Sequence, residues 1–159
     1  MPETISLEEA KALVYTFSYG VYVITTADEK EKFGMTAVWV CQVSKDPVQI
    51  GIGVTPTGKT AQTIFKSQKF VVNVLSKEQQ SIAYQFGSPS DDPSVKFKDI
   101  ETGLTDHGIP YIKNSVAWME CEVISEINLN SHYWIIGKVT GGSKNPDLQA
   151  ALYNNGKIF

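Results

Sequence analysis

Between Val21 and Leu75 the chain places four short runs of β-branched and aromatic residues, at 21–26, 35–44, 48–54 and 70–75, each closed by charged residues, proline or a helix start. Runs this short, broken this often, favour a sheet built from many small strands. The first two flank the charged stretch 27–32, which suits a hairpin, so they read as paired strands. Asp46-Pro47 ends the second run, because proline has no N–H to give to a ladder. In the third run Ile50 and Ile52 alternate with Gly51 and Gly53. Glycine inside a strand marks a bulge, a sharp coil, or a place where another backbone or a ligand comes close.

The remaining segments fit around that sheet. Ser6-Leu7-Glu8-Glu9 reads as a capping box ahead of apolar Leu13, Val14 and Phe17, which predicts a short amino-terminal helix. A second helix is expected through Gln68, capped by the Thr57 hydroxyl at the amide of Lys59 or Thr60 and buried through Ile64 and Phe65. Ser76-Lys77-Glu78-Gln79 opens a third, with Ile82, Ala83 and Phe86 at helical spacing and a stop at Gly87. Residues 88–94 are turn formers and predict a long exposed loop. From Ser115 to Ile127 the residues alternate, with Ala117, Met119, Cys121 and Val123 on one face and Val116, Trp118, Glu120 and Glu122 on the other; His132 to Thr140 is its expected partner. The sum is a mainly β chain with short helices, about six or seven mostly antiparallel strands in a closed or partly closed barrel, forming a single domain over 1–159.

Composition narrows the function. A net charge of −3 with pI near 5.4 gives no electrostatic footprint for nucleic acid or for an anionic membrane. The acidic amino terminus lacks the basic region and apolar run of a signal peptide, and no apolar segment is long enough to span a bilayer, so a cytoplasmic protein is expected. Cys41 and Cys121 are too few and too far apart for a zinc site or disulfide framework and read as buried small hydrophobes. All 14 cationic side chains are lysines. Any phosphate must therefore be held by lysine, hydroxyls, backbone amides or a helix terminus, without a guanidinium fork.

Gly34-Met35-Thr36-Ala37, Ser44-Lys45-Asp46-Pro47, Thr57-Gly58-Lys59-Thr60 and Phe70-Val71-Val72-Asn73-Val74-Leu75 follow one another as strand, turn, strand, helix start and strand. In this order they resemble the flavin reductase-like family of FMN-binding split barrels, with weaker agreement outward to Gly20 and to Leu152-Tyr153-Asn154-Asn155-Gly156. The resemblance implies bound FMN, a homodimer with flavin pockets at the subunit interface, and a hydride taken from NADH or NADPH. An interface groove also answers a physical need, since so small a barrel has little interior for a tricycle.

On that resemblance, the phosphate falls to Thr55, Thr57, Gly58, Lys59 and Thr60, where hydroxyls, an approachable backbone, a lysine and a helix amino terminus coincide. The alternative is that Thr57 caps the helix and Lys59 is solvated. The ring falls to the strand segment Thr36, Ala37, Val38, Trp39, Cys41 and Gln42, whose backbone can meet the flavin pyrimidine. Cys41 stands where family members often carry serine or threonine, and a thiol is a poor donor; it packs on the ring or takes a redox role. Trp39 stacks on flavin or fills the barrel. Asn73, amid valines, bonds either the ligand or backbone. His132 matches a family histidine on the nicotinamide side of the flavin, while His107 sits in a Thr105-Asp106-His107-Gly108 turn. The chain carries no nucleophile elbow, Walker loop, zinc-protease motif or Rossmann fingerprint, and flavin chemistry needs none of them. The electrons would pass to free flavin, iron or a redox partner protein. A flavoredoxin-like electron carrier that reacts poorly with NAD(P)H is the alternative. Some relatives carry a basic residue near their Tyr-x-x-Gly end, where this chain has Tyr153-Asn154-Asn155-Gly156-Lys157; without arginine, nothing flags a nucleotide 2′-phosphate.

Overall fold

A computed structural model describes residues 4–159. Met1, Pro2 and Glu3, which the sequence reading includes in its acidic amino terminus and its 1–159 domain, lie outside the described residues. Helix α1 (Leu7–Val14) starts at the expected capping box: Glu9 N–H donates to Ser6 Oγ (3.2 Å) and Ser6 N–H to Glu9 Oε2 (2.7 Å). The Ser6 N–H bond to the carboxylate, with the Ser6 side chain beside it, holds the Glu9 carboxyl below its ordinary range. The strand β1 (Tyr19–Gly20) follows, then β2 (Tyr22–Ala27), β3 (Lys32–Ala37), β4 (Val40–Lys45) and β5 (Val48–Val54). Helix α2 (Lys59–Ser67), β6 (Lys69–Val74), a 3₁₀ turn (Lys77–Gln79) and α3 (Gln80–Gly87) come next. After a second 3₁₀ turn (Pro93–Phe97), the chain forms β7 (Thr102–Leu104), β8 (Pro110–Ile112), β9 (Ala117–Asn128), β10 (Tyr133–Lys144), β11 (Leu152–Asn154) and β12 (Lys157–Ile158).

Seven of these strands form one antiparallel sheet in the order β3-β2-β6-β9-β10-β5-β4. Its two outer strands are consecutive in the chain, joined only through Val38 and Trp39, so the sheet curls until its edges meet. This is the partly closed barrel that the strand count predicts and the split barrel that the resemblance implies. The single run expected from Met35 to Ser44 is thus two strands: β3 pairs with β2 and β4 with β5, at opposite ends of the sheet order. A continuous β-branched run gives no sign of such a break, because both halves have strand composition and only tertiary pairing separates them.

Ile24, Ile52, Val54, Ile64, Phe70, Val72, Cys121 and Ile135 fill the barrel and the seat of α2. A second cluster, with Val21, Val23, Leu75, Phe86 and Ile112, packs α3 and β8 against the outer wall. Burying side chains of this size contributes about 1.5–3 kcal/mol each.

Several expectations are corrected. Gly51 and Gly53 make room for indoles: a Cβ at Gly51 would collide with Trp134, and one at Gly53 would lie 3.2 Å from Trp39. Helix α2 has Gly58 as its N-cap, and no side chain caps it. The fourth strand begins and ends one residue earlier than 70–75. Pro93 and Ser94, expected in the exposed loop, belong to a 3₁₀ turn capped by Asp92 Oδ1. Cys41 is exposed, and only Cys121 is buried. Glu120, placed by periodicity with the polar face, is buried; its Oε1 meets His107 Nδ1 at 2.5 Å and its Oε2 has no partner. Glu120 is covered because the β7–β8 hairpin brings His107 over that part of β9, a long-range event that alternation in β9 cannot report.

Candidate functional site

The break between β3 and β4 organises the site, since three clefts follow one another along it. The first, of about 330 Å³, lies against the start of α2 and is lined by Met35, Thr57, Gly58, Lys59, Thr60 and Lys96 among others. Gly58 is extended (φ −69°, ψ 145°), so the first amides of α2 carry no side-chain acceptor and are open to a ligand. Lys59 Nζ donates to the Asp91 carbonyl, which latches the loop after α3 onto the helix start. Lys96 Nζ donates to the carbonyls of Phe86 (3.0 Å) and Gly34 (3.3 Å), and burial pushes its pKa down. Bare helix amides, two threonine hydroxyls and two ammonium groups in one cleft make a donor set that fits a phosphate dianion.

The second cleft, about 560 Å³, meets the first at Pro89 and takes Thr36, Ala37 and Val38 on one side, with Ala83, Gly87 and Tyr153 opposite. Strand β3 pairs only with β2, so its outer edge keeps backbone groups for a ligand. The Thr36 hydroxyl already donates to the Ala83 carbonyl (2.5 Å), which fixes its rotamer and ties β3 to α3. Small Ala37 and the seat beside Gly87 leave room above that edge.

The third cleft, about 440 Å³, opens where Val38 passes into Trp39, and it is mostly apolar. Trp39, Cys41, Leu129, His132 and Trp134 line it, with Phe17 and Tyr19 from the segment after α1. Trp39 is 46% exposed, and its ring centre lies 4.7 Å from that of His132 at 59°. Indole faces over a glycine row suit a flat aromatic ligand. An edge of free backbone groups beside an apolar aromatic wall, with a phosphate cradle at one end, suits a flat aromatic ring joined to a phosphate.

The structure therefore brings Thr57, Gly58, Lys59 and Thr60 into one cleft, Thr36, Ala37 and Val38 into the next, and Trp39, Cys41 and His132 into the third. It leaves three candidates outside. Asn73 is fully buried, donates to Val23 O (2.9 Å) and Thr25 Oγ1 (3.0 Å), and accepts from Ile112 N–H (2.7 Å). Its amide is an internal tie between β2, β6 and β8. Gln42 is exposed and donates to the Ser44 carbonyl (3.1 Å) at the β4 bulge, while Thr55 contributes its carbonyl to Gly58 N–H (3.1 Å). Lys96, Tyr19 and Trp134 are the residues that sequence reasoning missed. Lys96 follows a proline-rich loop that returns to β3, and no local spacing signals that return. Among the described residues, no group of three or more His, Cys, Asp or Glu is placed to hold a metal, and no helix is long and apolar enough to cross a membrane.

Comparison with known proteins agrees with the fold. A family model described as the flavin reductase like domain matches residues 14–159. The high molecular weight rubredoxin of Moorella thermoacetica is 32% identical over 134 residues, covering 83% of this chain and 58% of the relative. A flavin reductase of Pseudomonas putida is 29% identical, covering 92% of this chain and 85% of the relative. Among solved structures, the NADH:FAD oxidoreductase of Streptomyces globisporus C-1027, in complex with NAD and FAD fragments, superposes with a TM-score of 0.89 at 25% identity, covering 99% of this chain and 95% of that one. The chain spans 58% of the rubredoxin and 61% of the stachydrine N-demethylase reductase subunit of Rhizobium meliloti, so these relatives carry further sequence of their own.

Proposed function

The chain belongs to the flavin reductase-like domain family, and from that premise we propose that it is an NAD(P)H-dependent oxidoreductase that holds FMN along the β3–β4 break. The observation that carries this reading is the run of three clefts from the uncapped start of α2 to the Trp39 pocket. Flavin, when bound, supplies the hydride-accepting chemistry itself. The protein's share is to bind, orient and shield. The α2 amides, Thr57, Thr60, Lys59 and Lys96 would take the phosphate, and the outer edge of β3 the pyrimidine. Trp39 and Trp134 would cover an apolar face, and His132 would stand where a nicotinamide stacks. Cys41, exposed in the same cleft, packs beside the ring in this reading.

A homodimer is part of the proposal, because the apolar third cleft is open and α1 has no buried residue of its own, with Leu7, Leu13 and Val14 all exposed. A second copy is the natural cover for both. A single domain over 1–159, a cytoplasmic setting, and free flavin, iron or a partner protein as acceptor complete the reading.

The likeness to a rubredoxin favours one alternative, an FMN electron carrier that exchanges electrons with a protein partner and reacts poorly with nicotinamide nucleotides. One experiment separates the two. The purified chain is supplied with FMN, freed of excess, and its visible spectrum is followed during anaerobic addition of NADH and then NADPH. Retained flavin bands that bleach with either nucleotide support the reductase and name its donor. Bands that bleach only with dithionite support the carrier, and absence of bands overturns both. Lys59→Glu sets a negative charge beside the phosphate cradle and should weaken FMN retention; unchanged affinity would remove Lys59 from the site.

A further inference from the structure

The β9–β10 hairpin has its tip at Asn128 and Tyr133, beside the Trp39 cleft, and its open end at Ala117 and Lys144. With 12 residues in each strand, the two ends lie on the order of 30 Å apart. At the open end a cleft of about 470 Å³ separates the β8–β9 turn from the end of β10, with Trp118 between them. We propose that this cleft binds a small aromatic anion, a planar ring carrying one phosphate or carboxylate, independently of the flavin site.

Four observations converge on that ligand. Ser115 is a lining residue of the cleft, it is only 7% exposed, and its hydroxyl oxygen is buried without a hydrogen-bond partner. Buried hydroxyls are rarely left unpaired. Lys113 and Lys144 are exposed and flank the cleft from opposite walls, and no carboxylate lines it, although the chain as a whole has 17 acidic residues against 14 lysines. Two ammonium groups make it a local cationic spot that favours an anion.

The aromatic preference comes from Trp118. Its ring stacks on Tyr111 with centres 4.4 Å apart and planes 10° from parallel. Tyr111 is itself seated on Gly103, where a Cβ would collide with the phenol ring, so it is held from both sides and holds the indole in turn. An indole fixed in this way presents a flat surface at little entropic cost, which suits stacking by a planar ligand. The walls are tied together by Asn145 N–H donating to the Val116 carbonyl (2.7 Å), so the cleft does not depend on a ligand for its shape. Its volume lies within the range of small-molecule sites.

The full chain, with FMN supplied, is titrated with adenosine 5′-monophosphate and separately with benzoate, and followed by 1H–15N NMR. The Trp118 indole signal is assigned through Trp118→Phe. Saturable shifts of the Trp118 indole and the Ser115 amide are expected, while adenosine, which lacks the anion, and inorganic phosphate, which lacks the ring, bind about tenfold or more weakly. Saturation by the nucleotide alone names a nucleotide ligand; saturation by benzoate names an aryl carboxylate. Lys113→Met with Lys144→Met should raise the dissociation constant about tenfold and leave FMN retention and the melting temperature in place. Shifts confined to the Trp39 side, absence of saturation with both probes, or unchanged affinity in the double variant would each overturn the site. The binding of the two probes and its loss in the double variant do not depend on whether the flavin reading stands.

Discussion

The two flanks of this barrel are made from the same kinds of residue and used in opposite ways. Along β2 and β6 the buried polar side chains are answered from within: Asn73 by Val23, Thr25 and Ile112, and Thr25 by the Pro110 carbonyl at 2.5 Å. Along the β3–β4 break the protein leaves things open. Trp39 is half exposed, Cys41 is exposed, the first amides of α2 have no cap, and one edge of β3 has no neighbouring strand. The lesson is that valine and asparagine in a strand say little by themselves; what decides between wall and site is whether the partners are internal.

The sharpest probe of that contrast is the pair of thiols. Cys121 is fully buried, and burial pushes its thiol up to about 12, so in the folded protein it should resist thiol reagents while Cys41 reacts at once. For a fold stable by about 5 kcal/mol or more, the two rates should differ at least about a thousandfold. Native and denatured titrations with a chromogenic disulfide would read one thiol, then two; two fast thiols in the native protein would break the distinction.

Asn73→Leu comes next in size. It strands the Ile112 amide inside the wall and should cost about 1–3 kcal/mol in chemical denaturation while leaving FMN affinity within about twofold. A large loss of affinity with little loss of stability would move Asn73 from wall to site. Trp39→Ala is the mirror experiment: stability should change by less than about 1 kcal/mol, and the FMN dissociation constant should rise about tenfold in a fluorescence titration.

The smallest effect concerns Lys96. Its pKa is lowered from the ordinary 10.5 by burial, so between the lowered value and 10.5 the unfolded chain binds more protons than the folded one. Stability should therefore rise with pH across that window, and the rise should be missing in Lys96→Met. Parallel melting curves for the two proteins as the pH approaches 10.5 measure the difference; identical slopes would mean that the lysine is as well hydrated when folded as when unfolded.

Much of this was legible in the residues, for reasons that are local. Val48–Val54 matches its strand residue for residue because Pro47 sets its start and the turn formers Pro56 and Gly58 follow it. The capping box at Ser6 and the stop of α3 at Gly87 likewise depend on a few neighbouring groups. What escaped depends on distant parts of the chain. Residues 35–44 look like one strand because nothing local reports that their halves pair with β2 and β5. Glu120 looks like a surface residue until the β7–β8 turn brings His107 over it. The phosphate cradle was legible as Thr57–Thr60, yet Lys96 completes it from 36 positions further on than Thr60. Thr57 shows a subtler limit: a threonine before a helix is a good cap by type, but Gly58 takes the capping position and frees the hydroxyl.

Val38 and Trp39 join the two outer strands of the sheet, and among the described residues no ladder bridges β3 to β4 at that point. The barrel thus has a seam closed by the chain itself and by the Gly53 N–H bond to the Trp39 carbonyl (2.9 Å), with no ladder from β3 to β4 across it. Length and sequence at the seam can drift without unpicking a single row of strand pairing, whereas the same change inside β6 would shift the register on both of its neighbours. A lineage built on this architecture can retailor what it holds at the seam and keep the cloth intact.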